Sequence, residues 1–226
     1  MGHHRENGSL EAKAGEFGRA YASALLRGDE IAAEIAIREA MDAKLSTAQI
    51  DDEIIAPALW FVGELWERGE ITVADEHLAT EISVRVLALQ REAQRVRRAR
   101  GGHRVMLAAP AGELHVVALR MIANLLRDAG YHVVMLGADV PADALAAAAV
   151  RHEPDVICLT ATMPGGADQV LIAIHQVQLE LPTAGFILGG DGVMPRVRAR
   201  PGIVVCERVS EVVEAVDAMV KHADSN

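Results

Sequence analysis

Arg104-Val105-Met106-Leu107-Ala108-Ala109 is a short apolar run that stops at Pro110, and a helical segment follows it from about His115 to Ala129. Four further runs continue the pattern. Tyr131-His132-Val133-Val134-Met135-Leu136 is closed by Gly137 and leads into an alanine-rich helix at about 142–151. Val156-Ile157-Cys158-Leu159-Thr160 is followed by a helix over roughly 167–180. Gly185-Phe186-Ile187-Leu188-Gly189-Gly190 comes next, and Ile203-Val204-Val205-Cys206 precedes a helix at about 209–221. Apolar runs this short, with no polar alternation, are strands covered on both faces. With helices between them they predict a doubly wound, Rossmann-like parallel sheet over residues 104–222.

Upstream the periodicity is different. Leu25, Leu26, Ile31, Ile35 and Ile37 recur at helical spacing, as do Ile54, Ile55, Leu59, Val62 and Leu65. Ser46 ahead of Asp51, Asp52 and Glu53 suits a capped helix start, and Gly69 after Trp66-Glu67-Arg68 a helix stop. A further helix from Thr72 to Arg98 completes an antiparallel four-helix bundle over 13–97. Residues 1–12, with His3 and His4, are expected to be a disordered leader, and 98–103 a linker containing Gly101 and Gly102.

Bulk properties narrow the function. Only 3% of residues are aromatic, which favours alanine-packed helices and an aliphatic sheet over a β-sandwich. A formal net charge of −10 repels nucleic acid. The cluster Arg91, Arg95, Arg97, Arg98, Arg100 and Arg104 fits a solvated helix end and linker better than a DNA contact. No apolar run reaches the ~20 residues that span a bilayer, and Cys158 and Cys206 read as buried thiols of a cytoplasmic protein.

In a doubly wound sheet, ligands bind beyond the carboxyl ends of the strands. That directs attention to Pro110–Ala118, Gly137–Pro141, Thr160–Gly166 and Gly189–Val193, none of which is a phosphate-binding glycine loop. His115 is a metal ligand by chemistry, and a carboxylate two residues earlier, Glu113, is able to orient its other nitrogen. Alone, Glu-x-His is weak, and a structural histidine near a helix end is the better reading.

Glu113-x-His115 after the first strand, Leu136-Gly137-Ala138-Asp139-Val140-Pro141 after the second, Thr160-Ala161-Thr162 after the third and Gly189-Gly190 after the fourth together resemble cobalamin-binding domains. The resemblance implies that His115 ligates cobalt from below and that Glu113 hydrogen-bonds it. Asp139 and Val140 belong to the same implied site. Thr160 and Thr162 would meet the displaced nucleotide tail, which Gly189 and Gly190 let run close to the backbone. Ala118 stands where the family has glycine, adding one methyl near the tail.

The helical half narrows the resemblance. Trp66, followed ten residues later by Glu76-His77, is similar to the cobalamin-dependent photoreceptors of the CarH/LitR type. There such residues cap the upper, adenosyl face of the cofactor. Read without that company, Trp66 is a bundle core residue and Glu76-His77 a helix start favoured by the dipole. Trp60 reads as core. The resemblance implies adenosylcobalamin held between helical cap and α/β domain, and light-dependent change in conformation, oligomer state or partner binding. Some stand-alone relatives, the photocobilins, add a bilin such as biliverdin, which here would be non-covalent. A homo-oligomer, with a dimer favoured, and an unidentified protein partner for output are expected; direct DNA contact is not. The enzyme-class alternative is a corrinoid methyl-carrier subunit of a methyltransferase system, and a third reading is an interaction scaffold that binds no cobalamin.

Overall fold

A computed structural model describes residues 3–93, 102–194 and 196–223, and the chain divides into two compact units, Met1–Gln94 and Arg95–Asn226. Of the arginine cluster, Arg95, Arg97, Arg98 and Arg100 lie outside the described residues, as do residues 98–101 of the expected linker.

The first unit is helical. Its elements are α1 (His3–Leu26), α2 (Glu30–Asp42), α3 (Thr47–Ile50), α4 (Ala56–Glu67) and α5 (Val73–Ala93). A π-helical segment, Asp51–Ile55, joins α3 to α4 without a break, so 47–67 forms one rod and the unit has four. The rod starts at a capping box: Ser46 Oγ accepts from Gln49 N at 3.3 Å, and Gln49 Oε1 accepts from Ser46 N at 3.0 Å. It ends before Gly69, whose φ of +70° is open to glycine at no steric cost. Thr72 and Asp75 cap α5 in the same reciprocal way. Tyr21, fully buried on α1, donates to Ser83 Oγ of α5 at 2.9 Å and ties the first rod to the last. The expected disordered leader is corrected: α1 already begins at His3. The run Leu10-Glu11-Ala12-Lys13-Ala14 consists of strong helix formers, which carry the helix through that stretch.

The second unit is a sheet of five parallel strands, β1 (Arg104–Pro110), β2 (His132–Val140), β3 (Val156–Thr160), β4 (Gly185–Gly189) and β5 (Ile203–Val205), in the order β2-β1-β3-β4-β5. Its helices are α6 (Val117–Ala129), α7 (Ala142–His152), α8 (Gly166–Glu180) and α9 (Val212–Ala223). Strand side chains alternate between two cores. Met106, Ala108, Ile157, Leu159, Phe186 and Leu188 pack on the side of α7 and α8. Val105, Leu107, Val156, Cys158 and Ile187 pack on the side of α6 and α9. Both faces of β1, β3 and β4 are buried, which explains their unbroken apolar runs, while the edge strand β2 is half-buried. Arg104 is bound at the opposite end of the sheet from the switch-point loops: its N donates to Asp155 Oδ2 and its guanidinium to the His152 carbonyl, both at 2.8 Å.

β2 departs from expectation. It does not close at Gly137 but runs on to Val140, with register shifts that pair Ala108 with Gly137 and then Pro110 with Val140. Gly137 takes φ +93° and Asp139 φ +52°, so the strand buckles and continues. A glycine reads as a stop in sequence because it usually ends regular pairing; here it absorbs a bulge.

Candidate functional site

The strand order reverses between β1 and β3, both of which start from the middle of the sheet, and the loops leaving those two strands form the site. After Pro110 the chain turns sharply: Glu113 N donates to the Pro110 carbonyl at 3.0 Å, with Gly112 at φ +81°. His115 lies in this loop, two residues ahead of α6 rather than inside the helix.

Glu113 is the hub. It is 3% exposed, and both carboxylate oxygens are used. Oε1 accepts from His115 N at 2.9 Å and is paired with His115 Nδ1. Oε2 accepts from the amides of Thr162 at 2.5 Å and Met163 at 3.2 Å, in the loop beyond β3. Burial pushes the Glu113 carboxyl up, but the hydrogen bonds from the His115 ring and the three amides outweigh it and hold it at about 2. The group is therefore a carboxylate at neutral pH. It fixes the imidazole through Nδ1, so Nε2 is the nitrogen presented for a metal, on a side chain that is 48% exposed.

The β3 and β4 ends supply a groove. Thr160 pairs in register with Gly189, and its Oγ1 is buried with no hydrogen-bond partner among the described residues. A buried hydroxyl left without a partner is costly, and it marks a place where a ligand's polar atom fits. At Gly189 an added Cβ would meet the Cys206 carbonyl at 3.5 Å, an ordinary contact, so the backbone here tolerates a small side chain. Gly190, by contrast, has a reason to be glycine. Its φ is +94°, and a Cβ would overlap the Ala161 carbonyl, with the carbonyl carbon at 2.8 Å. Gly192, which sequence reasoning did not single out, packs on the same loop: its N donates to Ala161 O at 3.0 Å, and Ala167 N donates to Gly192 O at 3.1 Å. Gly190→Ala is accordingly expected to lose about 2–4 kcal/mol, from left-handed strain plus overlap, read as a lower urea midpoint.

The remaining expected residues fall as follows. Thr162 engages Glu113 through its backbone amide, with its side chain exposed. Asp139 turns its carboxylate onto Gly112 N at 2.8 Å, and Val140 packs against the α7/α8 core. Ala118 is in the first turn of α6 and half-buried. In the helical unit, Trp66 is in the last turn of α4 and 41% exposed, Glu76 is in the first turn of α5 and His77 directly follows it. The loop 68–72 joins those helix ends, so the three residues share one end of the bundle. His77 Nδ1 pairs with Glu76 Oε2 at 2.5 Å, and Thr80 donates to Glu76 Oε1 at 3.0 Å. Trp60, expected in the core, is instead 62% exposed; its position on the rod points away from the buried Ala58 and Val62. The functional groups missed in sequence are the Met163 amide, Gly192 and the Asp139–Gly112 bond. The only advance signals were the extra glycines at 112 and 192.

Comparison with known proteins gives matches in both units. Residues 103–217 match the model of the B12 binding domain, and residues 18–89 match a second model, also described as a B12 binding domain. The chain is similar to the HTH-type transcriptional repressor CarH of Myxococcus xanthus, 32% identical over 160 residues that cover 70% of this chain and 50% of that protein. It is also similar to trimethylamine corrinoid protein 2 of Methanosarcina acetivorans, 26% identical over 205 residues, 85% of this chain and 91% of that one. The chain thus spans half the length of the repressor it matches. In fold it is similar to the monomethylamine corrinoid protein of Methanosarcina barkeri, with a TM-score of 0.73 over 89% of this chain and 97% of that chain, at 16% identity.

Proposed function

The chain belongs to the B12 binding domain family, and on that premise we propose that it is a cobalamin-dependent light sensor. His115 is the lower ligand to cobalt, and Trp66, Glu76 and His77 meet the upper ligand. The observation that carries this reading is the placing of Trp66, Glu76 and His77 at one end of the helical bundle, in a chain that also holds the Glu113–His115 pair.

Adenosylcobalamin, when bound, supplies a cobalt–carbon bond that light cleaves. The chain's residues do the rest. Glu113 turns the imidazole by pairing with Nδ1, which leaves Nε2 as the nitrogen that faces a metal. The Thr160 hydroxyl would gain a partner from the tail, beside Gly189 at the end of the neighbouring strand. Trp66, 41% exposed, offers an apolar face to an adenosyl group, with the Glu76–His77 pair at the same end of the bundle. Contacts that exist with the upper ligand and vanish without it are what a ligand needs to shift a two-state equilibrium. Output is then a change of conformation, of association between copies, or of binding to a protein partner. A bilin accompanying the corrinoid would be held non-covalently, because Cys158 and Cys206 are both buried.

A second reading, a corrinoid methyl carrier, is favoured by the near end-to-end similarity to trimethylamine corrinoid protein 2. One experiment separates the two. Protein loaded with adenosylcobalamin in the dark is examined by visible absorption and light scattering before and after green light. The light-sensor reading expects the alkylcobalamin bands to give way to those of a non-alkylated form, together with altered size. Unchanged spectrum and size would overturn it. Methyl transfer from methylated protein at equal rates in dark and light would support the carrier.

A further inference from the structure

β2 stays paired with β1 through two register shifts to the last pair, Pro110 with Val140, and Asp139 sits within that irregular stretch. Asparagine and aspartate are the side-chain-bearing residues that best tolerate a positive φ, and Asp139 sits at +52°. In that conformation it makes two bonds to the loop that carries His115. Its Oδ1 accepts from Gly112 N at 2.8 Å, and its own N donates to the Glu113 carbonyl at 2.9 Å. The two bonds bracket the Gly112–Glu113 peptide, immediately before His115. From the other side, Glu113 is held by the Thr162 and Met163 amides. The loop is therefore clamped between β2 and the β3–α8 loop, and Glu113, which orients the imidazole, is fixed in both main chain and side chain.

We infer that Asp139 is a positioning residue for the cobalt ligand: it staples the Gly112–Glu113 peptide to β2 and so fixes the direction of His115. Its Oδ1 is committed to Gly112 N. This deepens the reading of His115 as lower ligand and rests on it.

Three substitutions separate the hydrogen bond from the backbone conformation. Asp139→Asn keeps an acceptor and tolerates the positive φ. Asp139→Gly keeps the φ without strain but has no acceptor. Asp139→Ala loses both. Each full-length protein is loaded with cobalamin, reduced to the cob(II) state and examined by electron paramagnetic resonance for splitting by an axial histidine nitrogen. Cobalamin affinity is measured by visible titration, and hydrogen exchange at residues 111–116 is measured without cofactor.

The wild type and Asp139→Asn should show the axial nitrogen. Asp139→Gly and Asp139→Ala should bind at least about ten-fold more weakly, as loss of an outer-shell partner does, with a reduced nitrogen signal. Their faster exchange should be confined to the 111–116 loop, which excludes general unfolding. A wild-type signal that persists undiminished in Asp139→Gly, at unchanged affinity, overturns the inference alone. Absence of the axial nitrogen from the wild type overturns the reading of His115 and this inference with it.

Discussion

Glu113→Ala is expected to destabilise the second unit by about 2–4 kcal/mol at pH 7 and to abolish tight cobalamin binding. Glu113 is a nearly fully buried carboxylate whose two oxygens serve the His115 ring and three backbone amides. Hydrogen bonds to a charged acceptor are worth about 1.5–3 kcal/mol each, and their sum would exceed the stated range. Water reaching the exposed Thr162 and Met163 stretch replaces part of the loss. Glu113→Gln fares little better, because an amide nitrogen would face backbone donors. The pH dependence follows from the carboxyl's position. Held at about 2 in the folded protein against an ordinary 4.5, it contributes its full stabilisation above about pH 4.5 and loses it as pH falls toward 2. Urea unfolding of wild type and Glu113→Ala should therefore give midpoints that differ at pH 7 and converge in acid. Equal midpoints at pH 7 would remove Glu113 from its place as hub of the site.

The second large effect is confined to the loaded protein. His115→Ala should reduce cobalamin affinity on the order of 100-fold or more, the ligand itself mattering at least as much as the outer-shell partners that cost 10–100-fold. The bound spectrum should lose the features of axial nitrogen coordination. Without cofactor the same variant should lose only about 1 kcal/mol, since the side chain is 48% exposed and Glu113 keeps its amide donors. That contrast distinguishes a ligand from a structural histidine, for which the apo protein would suffer and the spectrum would not change.

Much of this was legible before any coordinates. Apolar runs such as Val156–Thr160 and Arg104–Ala109 announce strands covered on both faces, and the helices between them force parallel pairing. The Ser46 and Thr72 helix starts and the Gly69 stop are local chemistry and fall where expected. The leader and the end of β2 were not legible. Leu10 to Ala14 is helical by propensity but has no polar–apolar boundary to mark it, and Gly137 gives the same signal whether a strand stops or bulges. Trp60 shows a related limit: a large apolar side chain within a helix does not say which side of the rod it occupies.

What sequence alone determined is everything with a short range or a period: strand and helix order, the caps, the glycines at strand ends, and the pairing of Glu113 with a histidine two residues away. The tertiary structure decided what those pieces do together. Glu113 reaches Thr162 and Met163 across 49 and 50 residues because the order β2-β1-β3 sets the ends of β1 and β3 side by side. Asp139 reaches Gly112 across 27 residues because a bulge, not a turn, follows Gly137. No periodicity records such bonds, because they depend on which strand becomes whose neighbour, a choice made by packing the two apolar faces rather than by any local run of residues.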